Sequence, residues 1–256
     1  VLVAVGLGAG AAWAGGRIGA RVRSIPTPAG DPEGLAWDGT HLWSNDFALG
    51  TLFRLDPADG RVVGSYSGGG LPVQPEGLCW DGSRLWTCDW LTGRVSRLRV
   101  FANSVVVEQT FDKPKGAGKT VGLEWDGTHL WLACFPAPGE EKSQLWALDP
   151  QTFAVRRFLR LPVYWVEDLA WDGYHLWSVD WFFRIGFAID TASGDTLHTY
   201  TTPALNPVGQ AWDGTHLWLS AASVDSIWAL DISGARPTPV RRATWTDAKR
   251  RFGSGR

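Results

Sequence analysis

The sequence predicts an all-β fold: a five-bladed β-propeller of four-stranded antiparallel blades, with a six-bladed ring as the alternative. Two observations predict it. One phrase returns five times, as PEGLAWDGTHLWSND at 32–46, PEGLCWDGSRLWTCD at 75–89, TVGLEWDGTHLWLAC at 120–134, VEDLAWDGYHLWSVD at 166–180 and PVGQAWDGTHLWLSA at 207–221. Its leading tryptophans, Trp37, Trp80, Trp125, Trp171 and Trp212, recur every 41–46 residues, a blade-like period. Between phrases lie two further strand-like runs, so that each period holds four strands.

The first two strands of each blade flank an Asp-Gly pair, at 38–39, 81–82, 126–127, 172–173 and 213–214. Asp and Gly tolerate positive φ and mark a tight hairpin. With Gly and its successor as the loop, Trp37 faces Leu42, Leu35 faces Ser44 and Glu33 faces Asp46, while Trp43 turns toward a neighbouring blade. Third strands follow as TLFRLDP at 51–57, VSRLRV at 95–100, QLWALDP at 144–150, RIGFAIDT at 184–191 and SIWALDI at 226–232. Fourth strands are RVVGSYS at 61–67, VVVEQTF at 105–111, AVRRFLR at 154–160 and TLHTYTT at 196–202. Blade five lacks its fourth, and two runs remain to supply it, RVRSIPT at 21–27 and PVRRATW at 239–245. If 21–27 completes the blade, the chain ends are clasped; if 239–245 does, the ring closes by side-chain packing alone. A sixth blade would need more strands than these two runs provide.

The 256 residues fit one domain with a large core. A formal charge of -2 gives no polyanion-binding signature, so nucleic acid is not expected as a partner. Ten of the 17 tryptophans occupy repeated positions, which reads as packing between blades. Methionine is absent, even at position 1, as in a processed or partial product. Residues 1–16 are small and apolar and precede Arg17, Arg21 and Arg23. Residues 1–20 are therefore expected to be a targeting or anchoring segment, with 1–16 a candidate membrane tether. An exported protein, periplasmic or extracellular, follows from that expectation. The propeller spans 21–246, and the basic 247–256 forms a solvated tail. Cys79, Cys88 and Cys134 match neither a disulfide framework nor a zinc-site spacing and read as buried small hydrophobes.

The informative positions are those where the phrase departs from itself. Four residues before the leading Trp stand Glu33, Glu76, Val121, Glu167 and Val208. The phrase ends on Asp46, Asp89, Cys134, Asp180 and Ala221. Blades one, two and four thus pair Glu with Asp, and like charges directly opposite each other destabilise a sheet. A retained proton, solvation or a shared cation would relieve each pair. Two readings stay open: each carboxylate caps nearby loop amides, or the six form one acidic site at the channel mouth. Phe47, Trp90, Phe135 and Trp181 directly follow the phrase, and Tyr164 and Trp165 precede Glu167. An acidic centre ringed by aromatics suits a small polar or cationic ligand, with Ca²⁺ as the candidate bridging ion for oxygen ligands.

His41, His129, His175 and His216 share one phrase position at the opposite end, and repetition makes them structural. His198 falls in an outer strand. No Ser/His/Asp arrangement or phosphate loop is present, and GLGAGAAWAGG at 6–16 lacks the βαβ context of a dinucleotide site.

The phrase PEGLAWDG…LWxxD with its LDP-type third strands resembles a broad superfamily of bacterial propellers. That superfamily includes the gluconolactonase family, streptogramin-lyase-like proteins and the five-bladed glutamine cyclotransferases. The resemblance covers about 32–232. In gluconolactonase-like members a Glu early in the first strand ligates a divalent metal, which by resemblance implies Glu33, Glu76 and Glu167 as metal ligands. Asn45 and Asn206 are loose matches to the remaining ligands. The glutamine cyclotransferases carry Phe-Thr-Gln-Gly-Leu where this chain has Pro32-Glu33-Gly34-Leu35. Three functions are therefore in view: a binding module for a small polar or cationic molecule; a metal-dependent lactonase-like hydrolase or glutamine cyclotransferase-like enzyme; and a scaffold that binds a protein at its aromatic rim. The candidate ligand-binding residues are Glu33, Asp46, Phe47, Glu76, Asp89, Trp90, Phe135, Glu167, Asp180 and Trp181.

Overall fold

A computed structural model describes residues 18–222 and 224–235. Strand β1 (Ala20–Pro26) is the first among the described residues. Blade one is β2 (Pro32–Trp37), β3 (Leu42–Asp46), β4 (Thr51–Leu55) and β5 (Val62–Ser67); blade two is β6 (Pro75–Trp80), β7 (Leu85–Asp89), β8 (Val95–Val100) and β9 (Val105–Phe111). Blade three is β10 (Thr120–Trp125), β11 (Leu130–Cys134), β12 (Gln144–Leu148) and β13 (Val155–Arg160); blade four is β14 (Val166–Trp171), β15 (Leu176–Asp180), β16 (Ile185–Ile189) and β17 (Thr196–Thr201). Blade five is β18 (Pro207–Trp212), β19 (Leu217–Ala221) and β20 (Ser226–Asp231), with β1 as its outer strand. The fold is a five-bladed propeller.

The ring is clasped by the early run. β1 lies antiparallel to β20, with Ser24 opposite Trp228 and Ile25 opposite Ile227. Ile25 is buried, and the Arg23 guanidinium sits 4.8 Å from the centre of the Trp218 ring. The rival run at 239–245, the apolar 1–16 and the tail 247–256 lie outside the described residues. Around the axis the inner strands β2, β6, β10, β14 and β18 contact one another in sequence, and β18 meets β2 to close the circle. The core is the set of seams between blades. Trp43, Trp86, Trp177 and Trp218 are fully buried there and Trp131 nearly so. The three cysteines are free and buried in one such seam.

The hairpin explains why these residues recur. Gly39 takes φ 94°, as its four counterparts take 92–95°, which a Cβ would resist. Asp38 Oδ1 accepts the Thr40 and His41 amides, and Oδ2 accepts the Trp43 indole N–H at 2.8 Å. The same carboxylate–indole bond joins Asp81 to Trp86, Asp126 to Trp131, Asp172 to Trp177 and Asp213 to Trp218 at 2.7–2.9 Å. One Asp therefore shapes the turn and satisfies the only polar atom of the tryptophan that fills the seam. The phrase histidines also belong to this turn, their amides bonded to the Asp and their rings beside it.

Asp172→Ala leaves the buried Trp177 N–H without its acceptor and removes the turn bonds to Tyr174 and His175. The expected loss is about 1–3 kcal/mol, or a melting temperature lower by about 2–4 °C per kcal/mol. Asp172→Asn keeps one acceptor oxygen and should lose less in thermal denaturation.

Candidate functional site

The straight hairpin register holds only as far as Leu35–Ser44. Beyond it Pro32, not Glu33, lies opposite Asp46, because Glu33 and Gly34 together face the single residue Asn45. The same shift places Pro75 opposite Asp89 and Val166 opposite Asp180, and irregularities stand at the matching place in blades three and five. Each is a β-bulge, a device that re-aims a side chain. The expected Glu–Asp cross-strand pairs are therefore not formed as direct partners, although Asp46 still acts on Glu33 and Asp180 on Glu167.

The bulge is held from the next blade. Asn45 donates its side-chain N–H to the carbonyl of Glu76, and Ser220 Oγ donates to the carbonyl of Glu33 at 3.0 Å. Asn45 is thus a structural clamp; its Oδ1 is buried without a partner among the described residues. Asn206 sits at φ 52° and offers its carbonyl to the Ala222 amide.

One residue further along, the inner strands nearly touch. A Cβ at Gly34 would stand 2.5 Å from the Glu76 carbonyl oxygen, and one at Gly209 would stand 2.0 Å from that of Glu33. This level carries Gly34, Gly77, Gly122 and Gly209, but in blade four it carries Asp168. Asp168 is 2% exposed. Its Oδ2 accepts the amides of Leu35 at 3.0 Å and Gln210 at 3.2 Å, and its Oδ1 accepts Leu123 at 3.2 Å. The Leu169 amide also bonds to it. One carboxylate therefore ties the inner strands of blades one, three, four and five. Sequence reasoning missed it, although the one acid among four glycines was a visible signal.

Glu33, Glu76 and Glu167 gather around this centre. Burial pushes Glu33 up to about 8, and the nearby charges of Asp31, Asp168 and Asp46 add to the effect. Burial raises Glu76 well above the ordinary range, as do Glu33, Asp168 and Asp31, with Lys119 opposing. Glu167 rises for the same reason, with Glu33, Glu76, Asp168 and Asp180 contributing. Asp168 reaches about 8 through burial, against the pull of its four amides. Glu76 and Glu167 are only 6% and 7% exposed, and their oxygens are not among the fully buried side-chain atoms left without a partner.

The aspartates behave differently. Asp46 accepts the Asp31 and Leu49 amides, Asp89 those of Val73, Gln74 and Thr92, and Asp180 those of Phe182 and Phe183. Their oxygens cap loops blade by blade. Four aromatics do come together: Trp90 packs edge-on against Phe135 at 5.8 Å, Phe135 against Trp165 at 5.2 Å, and Trp165 meets Trp181 at 6.4 Å. Lys119 Nζ lies 4.7 Å from the Trp90 ring centre. Tyr164 joins the arc through Trp165, whereas Phe47 makes no ring contact with it among the described residues. Nor, among those residues, do any three or more His, Cys, Asp or Glu side chains form a group able to hold a metal ion. Glu33, Glu76 and Glu167 are not such a group among the described residues.

A crystal structure of Myxococcus xanthus glutaminyl cyclase superposes with a TM-score of 0.70 at 18% identity, covering 84% of this chain and 97% of that one. The likeness is one of fold. A nidogen/laminin complex gives a TM-score of 0.58 at 16% identity, over 82% of this chain and 79% of that one. A Staphylococcus aureus virginiamycin B lyase gives 0.47 at 16% identity, over 81% and 68%. No family model matches the sequence, and no curated protein does.

The raised carboxyls set a pH dependence. An acid whose folded pKa lies above its unfolded value, here 4.5 for Glu33 and 3.8 for Asp168 against about 8 for each, stabilises the fold while it is protonated. That stability is lost as pH rises through the folded values. The melting temperature should therefore fall between about pH 5 and about pH 9. Glu33→Gln should flatten the fall and raise the melting temperature at the alkaline end by about 2–4 °C for each kcal/mol relieved. A profile as steep as that of the unaltered chain would refute this.

Proposed function

We propose that this propeller binds a small organic cation, an amine, at its acidic end, between Glu33, Glu76 and Glu167 and the aromatic arc of Trp90, Phe135, Trp165 and Trp181. One observation carries the reading: Glu76 and Glu167 are more than nine-tenths buried, yet each lies among other acids, with Lys119 the one opposing charge on Glu76. A carboxylate charged in such a place needs a counter-charge. An ammonium supplies donors and charge together, and an aromatic wall adds cation–π attraction. The acids are raised by burial, so binding a cation releases protons.

An enzymatic reading has the fold likeness to a glutaminyl cyclase as its specific support. The α-ammonium of a peptide N-terminus belongs to the same ligand class, which makes a glutaminyl peptide a natural probe.

Calorimetric titration near neutral pH with glutaminyl-glycine amide, its N-acetylated form, putrescine and Ca²⁺ tests the proposal. The amines should bind saturably with proton release, seen as a dependence of the heat on buffer ionisation enthalpy. The acetylated peptide should not bind. Glu76→Gln and Glu167→Gln should each weaken amine binding about tenfold or more, equivalent to about 1.4 kcal/mol. Equal affinity for the acetylated peptide, or no heat from any amine, would overturn the reading. A peptide that binds and returns a cyclised product would favour the enzyme.

A further inference from the structure

The acidic end of the propeller is also its apolar end. β2 starts there and runs toward its turn, so the loops from second to third strands and the connections between blades all open on that rim. Of the seven most exposed large apolar side chains among the described residues, six stand on those loops: Leu49, Val73, Leu91, Phe182, Phe183 and Leu205, at 56–71%. The seventh, Tyr174, stands on a turn at the opposite end.

The loops themselves do not require these side chains. Asp180 shapes its loop by accepting the Phe182 and Phe183 amides, and Asp46 and Asp89 do the same through the Leu49 and Thr92 amides. The positions of the two phenylalanines carry Ala48 and Leu49 in blade one and Leu91 and Thr92 in blade two. Arg184 closes the blade-four loop at φ 58°, where Gly50 and Gly93 take 57° and 71°. A bulky residue in that conformation costs free energy, and such residues cluster at functional sites.

The arrangement indicates what covers the rim. Leu49, Val73 and Leu91 belong to blades one and two, Phe182, Phe183 and Leu205 to blade four and its exit, so the tips flank the channel mouth from two sides. Tips set around a mouth fit a flat, deformable surface better than a single pocket-filling ligand. All the lysines among the described residues, Lys113, Lys115, Lys119 and Lys142, stand on the same rim, interspersed with acids such as Asp112 and Glu140. A rim of mixed sign has no pull toward a strongly charged partner. Recessed acids, basic side chains on the loops and exposed apolar tips match the three layers of a phospholipid surface with amine headgroups: ammonium, phosphate and hydrocarbon. The described chain ends meet at the opposite end, where the Gly19 amide bonds to the Asp231 carbonyl, and leave this rim clear.

We infer that the acidic rim docks on a lipid bilayer that contains a zwitterionic primary-amine phospholipid, its apolar tips in the interface and a headgroup ammonium at the acidic site. The inference rests on the amine reading of that site and names the amine.

Sedimentation of the whole chain with vesicles tests it, using phosphatidylcholine alone, phosphatidylcholine mixed equally with phosphatidylethanolamine, and the same mixture with phosphatidylserine, beside calorimetry with putrescine. Binding should be about tenfold or more tighter to the ethanolamine vesicles than to phosphatidylcholine alone. The double variant Phe182→Ser, Phe183→Ser should weaken vesicle binding by a similar factor and leave putrescine binding unchanged. Both rings are exposed, so their loss leaves the packed seams intact. Glu76→Gln should remove the preference for ethanolamine lipid, and Tyr174→Ser at the opposite end should change neither readout. No vesicle binding, equal affinity for choline and ethanolamine lipid, tighter binding to the serine vesicles, or undiminished affinity in the double variant would overturn the docking. With putrescine binding intact, any of these leaves the amine site standing. Absence of putrescine binding would instead refute the amine site, and the headgroup assignment with it.

Discussion

The structure depends on the close approach of five inner strands at one level of the axis. Glycine at 34, 77, 122 and 209 lets backbones meet where no Cβ would fit. The space left at the centre is filled by Asp168, whose two oxygens collect amides from blades one, three, four and five. Closing a ring of antiparallel sheets leaves inner-strand amides turned to the axis, and a buried amide without an acceptor costs about as much as a lost hydrogen bond. Asp168 answers that demand from one blade on behalf of the others. Its position also divides the channel, with the glutamates on one side and the strand ends Trp37, Trp80, Trp125, Trp171 and Trp212 on the other.

The bulge follows from the same approach. To bring Gly34 against the next blade, β2 departs from the regular ladder, and two of its residues share one partner. The departure takes Glu33 out of direct pairing with Asp46, and the two acids do separate work. Asp46, Asp89 and Asp180 bind loop amides, while Glu33, Glu76 and Glu167 converge across blades. Asn45 and Ser220, opposite the bulge, anchor the displaced carbonyls to the neighbouring blade. The acidic cluster is therefore a product of ring closure rather than of any single hairpin.

Much of this was legible in the repeated phrase. The period, the Asp-Gly turn, the seam tryptophans and the structural histidines all follow from local rules that act identically five times. The register failed by one residue because pairing was counted straight outward from the turn. A glycine inside a strand marks a bulge or a close backbone approach, and Gly34, Gly77, Gly122 and Gly209 were in plain view. Asp168 was hidden for a related reason. It departs from its column in one blade alone, so a search for positions that vary in several blades passes over it. The aromatic arc was anticipated from order in the chain, but Phe47 stayed outside it because ring contact depends on the path of each loop, which no local pattern specifies.

Hydrogen bonding separates the acids near the axis into two kinds. Asp168 has four amide donors, which offset part of the burial that raises it to about 8. Glu33, Glu76 and Glu167 receive no such donors and are raised by burial and by one another. A residue that only closed the ring would be matched by the backbone, as Asp168 is. Three glutamates that the backbone leaves unmatched, in the blades where Val121 and Val208 show that an apolar side chain packs at the same level, impose a cost on folding that packing does not require. Such a cost is expected where a protein reserves interaction capacity for a ligand.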